Sequence, residues 1–307
     1  MGDVQFSLPL LIDSPLIGKI KNDRTMMVWN FFALTKERVT ELPVYDDGRV
    51  RIEINGTKSG VATIWDKELL IYIGSLMQDK LNRGEAVGRR FSFTAHDFCR
   101  VIGIKPSGTA YTRILEGLAR LQGTQIRTNI ETGGAGEDGA FSWVNDYKIE
   151  YRRTKAGEKE MKSVTLELCD WLYRAILKDG RMLTYHPNYF RLSPLERRLY
   201  EIARAHCGNQ AAFKINIEKL RLRVGSETPL KQFKAKLVVL SRQENVLPDY
   251  GLAVIDPRRP FGLIDPMAPP PTGRTPLKAW MVFFYRRNKL AGATPFSQAP
   301  EISDSDE

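Results

Sequence analysis

The feature that most constrains the fold is an order of elements that occurs twice along the chain. In each copy, a long amphipathic helix precedes a short helix, a tight glycine-containing turn, a longer helix, and then strands separated by a loop. A short helix joined by a tight turn to a longer one is the helix-turn-helix arrangement, and trailing strands make it winged. The sequence therefore predicts an α+β fold with two tandem winged-helix domains, each a helix-turn-helix followed by a β-hairpin wing.

Local start and stop signals place these helices. Serine, threonine or asparagine at a helix start satisfies free backbone N–H groups, and glycine commonly follows the last turn. The signals of the first copy are the capping boxes Thr63-Ile-Trp-Asp66 and Thr94-Ala-His-Asp97, the stop at Gly103, the Lys105-Pro-Ser-Gly108 turn, and the stop at Gly123. Those of the second are Ser193-Pro-Leu-Glu196, Asn216, Gly225, and Thr228-Pro229 at the start of a helix that reaches about Glu244.

Strand patterns follow each set of helices. Gln125 to Ile130 and Phe141 to Tyr151 flank a glycine-rich loop, which predicts an antiparallel hairpin with Thr132–Gly139 at its tip. Apolar residues alternate over Val164–Leu168, and Trp280–Tyr285 is strand-like. Seven prolines within residues 257–276 predict a long extended loop before that last strand.

Positive charge is concentrated in the second half of the chain. The 307 residues hold 46 Lys+Arg against 36 Asp+Glu, and residues 161–290 alone hold 23 bases and 11 acids. Clustered positive charge gains free energy by releasing condensed counterions from phosphates. This half is therefore the candidate for binding a polyanion, although a solvated basic surface remains the alternative.

Length and composition suggest the domain boundaries. A chain of this size usually forms two domains. We expect an N-terminal accessory or self-association segment (1–58), a first winged helix (59–190), a second winged helix (191–290) and a disordered acidic tail (291–307).

The two longer helices offer candidate DNA-contacting side chains. Arginine can fork onto guanine, glutamine pairs with adenine, glutamate accepts from cytosine, and lysine suits phosphates. The side of the first helix opposite Tyr111, Ile114, Leu115, Leu118 and Leu121 presents Thr109, Thr112, Arg113, Glu116 and Arg120. Opposite Leu230, Phe233, Leu237 and Leu240, the second helix presents Lys231, Gln232, Ala235 and Arg242, with Lys234 and Lys236 at the margins of that side. Further candidates for contacts to the phosphate backbone or the minor groove are Arg127, Arg152 and Arg153, on or beside the first wing, and Arg89 and Arg90, just ahead of the short helix. For each helix, an ordinary solvated charged face is the competing interpretation.

Motifs for catalysis or cofactor binding are weak. Gly134-Ala-Gly136-Glu-Asp-Gly139 matches the dinucleotide-binding pattern, but strand-like residues follow where that mechanism requires a helix. No P-loop motif occurs, and the pairs His96/Cys99 and His206/Cys207 are better explained by packing than by metal binding. Tyr185-His186-Pro-Asn-Tyr189 has the tyrosines of a nicking enzyme but only one histidine. We therefore expect no enzymatic activity, no cofactor and no metal.

The chain also lacks the signs of a membrane or secreted protein. It contains no apolar run of ~18 residues that could span a bilayer, and its N-terminus does not resemble a secretion signal. Three cysteines are too few, and odd in number, for a disulfide framework. These features predict a cytoplasmic protein.

Four segments resemble a known family. They are Leu8-Pro-Leu-Leu-Ile-Asp13, Gly60-Val-Ala-Thr-Ile-Trp-Asp-Lys-Glu-Leu-Leu70, Phe91-Ser-Phe-Thr-Ala-His-Asp-Phe98 and Ser107-Gly-Thr-Ala-Tyr-Thr-Arg-Ile-Leu-Glu-Gly-Leu118. They look like the plasmid replication initiator protein A family, over roughly residues 5–290.

That resemblance implies two winged helices that bind repeated origin sequences (iterons) in double-stranded DNA, open the origin and recruit the host helicase. It also implies a monomer–dimer equilibrium, in which a dimer represses its own gene and so helps to control plasmid copy number. A winged-helix transcriptional repressor is the first alternative function, and a nicking enzyme or primase is the second.

Overall fold

The computed structural model describes residues 12–136, 138–153, 157, 159–208, 210–258, 273–288 and 300–302. These residues belong to two compact units. Unit 1 takes those within 1–23, 37–42 and 53–184, and unit 2 takes those within 24–36, 43–52 and 185–307. The division after Thr184 lies six residues before the predicted one, and residues 1–58 are shared between the two units instead of forming a segment of their own.

Both units contain α-helices and β-strands. The α-helices are α1 (Arg24–Val28), α2 (Lys67–Asn82), α3 (Ala95–Ile102), α4 (Gly108–Gly123), α5 (Asp170–Arg174), α6 (Pro194–Cys207), α7 (Ile217–Val224) and α8 (Leu230–Ser241). The strands are β1 (Lys21–Asp23), β2 (Tyr45–Asp46), β3 (Arg51–Asn55), β4 (Arg90–Phe93), β5 (Gln125–Thr128), β6 (Val144–Arg153), β7 (Lys159–Leu168), β8 (Met182–Thr184), β9 (Ala212–Asn216), β10 (Tyr250–Ile255) and β11 (Met281–Arg286). Single turns of π-helix (Ala175–Asp179) and 3₁₀-helix (Pro187–Arg191 and Leu277–Ala279) complete the described elements.

Unit 1 is organised around a three-stranded antiparallel sheet. Its main elements follow in the order α2, β4, α3, α4, β6, β7, and the strands lie side by side in the order β4-β7-β6. Phe91 is paired with Leu166, and Val164 with Ile149. The buried rings of Tyr72, Phe93 and Phe98 join this sheet to α2 and α3, at centroid distances of 5.2 and 5.5 Å from Tyr72.

Unit 2 repeats this arrangement. Its elements follow in the order α6, β9, α7, α8, β10, β11. Strands β9, β10 and β11 thus correspond to β4, β6 and β7, and they lie side by side in the same antiparallel order, β9-β11-β10. Val282 pairs with Ile215 on one side and with Val254 on the other. In each three-stranded sheet, therefore, the strand that comes last in the sequence (β7 or β11) lies between the other two.

The N-terminal helix α1 belongs to the core of unit 2. Met26, Met27 and Val28 are almost fully buried, and α1 packs against α6. The buried Arg198 donates to the carbonyls of Met27 (3.0 Å) and Val28 (3.3 Å), and it also pairs with the buried Glu201. This part of the predicted accessory segment is consequently not exposed for self-association.

The predicted hairpin between residues 125–130 and 141–151 is wrong in its pairing. Between those segments only the single bridge Ile126–Phe141 is found among the described residues. Strand β6 pairs with β7 along its length instead, from Val144–Leu168 to Arg153–Lys159. Only five residues of sequence separate Arg153 from Lys159, and closing so short a loop costs little entropy, which favours a hairpin between these neighbouring strands.

The predictions for the C-terminal region are only partly open to comparison. Most of the proline-rich loop (259–272) and most of the tail lie outside the described residues. The predicted disorder is wrong for residues 300–302, because the Lys214 N–H donates to Pro300 O (2.9 Å) and the Ile302 N–H donates to Lys214 O (3.0 Å). These two bonds attach the segment to the free edge of β9.

Among the helices of the described chain, none is both long and apolar enough to cross a membrane.

Candidate nucleic-acid interface

The helix pair α3–α4 is held in place by caps at both ends of its turn. Thr94 Oγ1 accepts from the Asp97 N–H (3.2 Å) at the start of α3, and α3 ends at Gly103 with φ of +75°. Ser107 Oγ accepts from the Ala110 N–H (3.2 Å) and begins α4. The predicted cap at Thr94 and the predicted stop at Gly103 are confirmed, but the reciprocal bond of a capping box is replaced, because the Thr94 N–H donates to Ser14 Oγ (3.2 Å).

The predicted DNA-contacting residues of α4 have two different environments. Thr109, Thr112 and Glu116 are exposed, as expected. Arg120 instead forms a bidentate ion pair with the buried Asp66, at 2.7 Å (Nε) and 2.8 Å (Nη2). This carboxylate raises the pKa of Arg120. Arg113 forms the equivalent ion pair with the buried Glu68.

These two ion pairs attach one side of α4 to the start of α2. Gly117 lies between the arginines in sequence, and a Cβ there would meet Asp66 Oδ1 at 2.9 Å, which shows how closely the helices approach. If Arg113 turned to a guanine, the buried Glu68 would lose this ion pair. On the same helix, Leu115, which the sequence groups with the apolar side, is 41% exposed.

The helix pair α7–α8 of unit 2 is joined by a turn of five residues (225–229), the same length as the turn between α3 and α4 (103–107). Asn216 Oδ1 accepts from the N–H groups of Glu218 (2.9 Å) and Lys219 (3.4 Å) and begins α7. The helix ends at Gly225, whose φ is +77°. A Cβ at Gly225 would lie 2.0 Å from Asn30 Nδ2, so both the backbone conformation and the space require glycine.

Helix α8 presents an open basic face. Phe233 and Leu237 are buried on its inner side. The exposed side chains of the helix and of the residue that follows it are Lys231, Gln232, Ala235, Lys236, Val239 and Arg242. No acidic residue occurs in α8. The predicted exposure of four site residues on this helix, Lys231, Gln232, Lys236 and Arg242, is therefore confirmed.

Lys234 lies at the margin of this face. Its Nζ is 3.0 Å from the centroid of the Trp280 ring, which stands just before β11. Burial lowers the pKa of Lys234. This cation–π contact connects α8 to the sheet of unit 2.

The other predicted arginines are distributed around the sheet of unit 1. Arg89 and Arg90 both pair with Glu167, at 3.4 and 2.9 Å. Arg127 is exposed at β5. Arg152 and Arg153 are exposed at the far end of β6, where Arg153 Nη1 donates to Gly157 O (3.0 Å). The last two thus lie at the tip of the β6–β7 hairpin, and not at the tip that the sequence predicts.

The tyrosines considered for nicking chemistry are internal. Tyr185 and Tyr189 are buried, and each hydroxyl donates to Glu201 Oε1 at 2.7 Å. Burial, together with the charge of Glu201, raises the pKa of the Tyr189 phenol. Neither hydroxyl is positioned to reach a DNA phosphate.

The candidate metal and cofactor motifs have no ligand geometry. His96 is exposed whereas Cys99 is fully buried, so the pair does not face one site. No group of three or more His, Cys, Asp or Glu side chains capable of holding a metal occurs in the described part of the chain. After Gly139 the chain continues through the bridge at Phe141 into β6, with no helix in between.

Comparisons with known proteins identify the family. The family model described as "Replication initiator protein A" matches residues 21–252. The chain belongs to the replication initiator protein A family. It is 36% identical over 245 residues to a "Putative replication protein" of Wigglesworthia glossinidia brevipalpis, a match that covers 79% of this chain and 87% of the relative.

Two solved structures share the fold. Both are crystal structures of domains 2 and 3 of RctB. One has a TM-score of 0.54 and 16% identity, covering 82% of this chain and 93% of that one. The other has a TM-score of 0.50 and 14% identity, covering 83% and 94%. At this identity, the similarity concerns the fold alone.

Proposed function

We propose that this member of the family is a plasmid replication initiator that binds repeated origin sequences in double-stranded DNA through two tandem winged helices. The observation that carries the proposal is the open face of α8, which presents Lys231, Gln232, Lys236 and Arg242 with no acidic residue on the helix. In a winged helix this is the helix that enters the major groove. The order of elements and the strand order, shared by both units, support the winged-helix assignment.

The two units contribute unequally to this proposed interface. Unit 2 reads bases through α8, because its polar side chains are exposed there. In unit 1, Arg113 and Arg120 stabilise the packing of α4 on α2, which leaves Thr109, Thr112 and Glu116 for the groove. Arg152 and Arg153 at the hairpin tip contact phosphates or the minor groove, where arginine is favoured.

Two reading helices on one chain cover adjacent turns of duplex and give a longer site than one module. Several bound copies bend the origin, and the deformation is concentrated at weak A·T steps, where the strands separate. The host replicative helicase is the proposed partner at the opened DNA. A homodimer in equilibrium with the monomer autoregulates the gene, and the protein acts in the cytoplasm.

The first experiment tests DNA binding by unit 2. Duplexes are selected from a random library with the full-length protein, and dissociation constants are then measured for the selected duplex at several salt concentrations. Lys231→Ala is expected to weaken binding, while the matched control Lys58→Ala, which removes an exposed lysine of unit 1, leaves it unchanged. Failure to select any sequence, or equal effects of both variants, would contradict the proposal.

A second experiment separates initiation from the alternative of transcriptional repression. A plasmid that carries only the gene and its upstream repeats is introduced into a host in which its other origin cannot work. Autonomous replication supports initiation, whereas repression of a reporter without replication supports the repressor.

We propose that the chain has no enzymatic activity. The burial of Tyr185 and Tyr189 argues against a nicking nucleophile at either position. Supercoiled origin DNA incubated with the protein and Mg²⁺ is expected to remain supercoiled. Relaxed product, or a strand linked to Tyr189, would favour the nicking enzyme.

A further inference from the structure

The basic face of α8 has an apolar centre. Ala235 and Val239 lie one helical turn apart, and both are exposed, Val239 to 56%. Exposed charged side chains surround them, namely Lys231, Lys236 and Arg242. Small apolar side chains on such a helix can contact base edges in the major groove, so this strip would meet bases when α8 enters the groove.

The position of α4 that corresponds to Val239 carries an arginine held in an ion pair, so the exposed apolar side chain at this position is specific to unit 2. Buried residues align between the two helices, Ile114 with Phe233 and Leu118 with Leu237. This alignment places Val239 at the position of Arg120. In unit 1, Arg120 forms an ion pair with the buried Asp66. In unit 2, the equivalent position carries an uncharged side chain with more than half of its surface accessible.

The charge around the strip favours DNA as the occupant. Three cations and no acid stand on or next to this face of the helix, which suits a surface bordered by phosphates. The only apolar group on the major-groove edge of a base pair is the thymine 5-methyl, and small apolar side chains recognise it. Gln232, on the same exposed face, can pair with adenine N6 and N7.

We propose that Ala235 and Val239 read thymine methyl groups in the major groove, so that the half-site bound by unit 2 is defined by thymines next to bases that Gln232 reads. The inference rests on the proposed function, because it requires α8 to enter the groove. It adds Val239, which lies outside the set of polar contacts, as a specificity-determining residue.

The test uses full-length protein and the duplex selected from the random library. Each thymine is replaced in turn by deoxyuridine, which removes only the 5-methyl group and preserves pairing. We expect one or two positions at which wild-type protein binds about three- to fivefold more weakly, the size expected for one buried methyl. Val239→Ala is expected to bind the thymine duplex more weakly by a similar factor and to lose its sensitivity at one of those positions.

Two controls make the outcome specific. Leu222→Ala removes another exposed apolar side chain of unit 2, on α7, and should retain the wild-type response to deoxyuridine. Circular dichroism checks that each variant is folded. If wild-type protein selects a sequence but tolerates deoxyuridine everywhere, or if Val239→Ala keeps the full response, the inference is overturned while DNA binding stands.

Two other outcomes point elsewhere. If Val239→Ala changes the oligomeric state measured by sedimentation and leaves DNA affinity intact, the strip is a protein interface and the inference is wrong. If no duplex is selected at all, the proposed function itself fails.

Discussion

Substituting Gly225 by alanine should destabilise unit 2 more than the equivalent change destabilises unit 1. An L-residue in the left-handed region costs ~1–2 kcal/mol, and Gly225 has φ of +77°. The added Cβ would also lie 2.0 Å from Asn30 Nδ2, so the Asn30 side chain must move. Overpacking of this kind costs about 1–3 kcal/mol, which gives a total loss in the free energy of unfolding of about 2–5 kcal/mol.

Gly103→Ala is the matched control. Gly103 ends α3 with φ of +75°, nearly the same conformation, but no heavy atom lies within 4 Å of the Cβ position. It should therefore show the conformational cost alone, ~1–2 kcal/mol. Urea denaturation gives the overall loss, and hydrogen exchange of amides in each unit shows where the loss occurs.

A double-mutant cycle isolates the contact. Asn30→Ala removes the obstructing side chain, so in that background Gly225→Ala should cost no more than Gly103→Ala costs in the wild type. Equal losses for Gly225→Ala and Gly103→Ala in the wild-type background would refute the reasoning. So would a cost of Gly225→Ala that Asn30→Ala does not reduce.

Three further predictions concern other parts of the chain. Arg120→Ala should lower the free energy of unfolding by ~2–3 kcal/mol, measured in urea, because it removes the ion partner of the buried Asp66; a loss near zero would contradict the structural role. Lys231→Ala should weaken binding to all duplexes similarly and lower the magnitude of the salt slope by about 1; a loss confined to one sequence would instead assign Lys231 to base reading. Because burial raises the pKa of Cys169 and of Cys207 to about 12, native protein at pH 8 should react with iodoacetamide far more slowly than unfolded protein; rapid labelling of the native state would show that these thiols are accessible.

Local signals in the sequence predict the helices well. The caps at Thr94, Ser193 and Asn216 act on backbone groups within three residues, so the information needed to place them is contiguous. The glycine stops at Gly103 and Gly225 depend on one backbone conformation each. On helix α8 the sequence predicts Lys231, Gln232 and Arg242 on the side opposite Phe233 and Leu237, and these side chains are exposed.

Pairings between distant residues could not be predicted in the same way. Arg113 and Glu68 are 45 residues apart, and Arg120 and Asp66 are 54 apart, so periodicity cannot reveal that they meet. Gly117 was the available signal, because a small residue between two arginines permits close approach of another helix. Strand β6 could form a hairpin with either β5 or β7, and it pairs with β7. The alternation of apolar residues predicts strands at all three places but does not show which of them pair.

The ion pairs of α4 change what the two long helices can be expected to do. Considered as sequences, both helices present basic side chains on the side opposite the core, and the arginines of α4 are of the type that forks onto guanine. In the structure, Arg113 and Arg120 of α4 both form ion pairs with buried carboxylates, and the Arg120 side chain is only 20% exposed. By contrast, Lys231, Lys236 and Arg242, which lie on α8 or directly after it, have exposed side chains. A DNA site recognised by this protein should therefore be more sensitive to substitutions in α8 than to substitutions of Arg113, whose replacement by alanine should lower stability without changing the selected sequence.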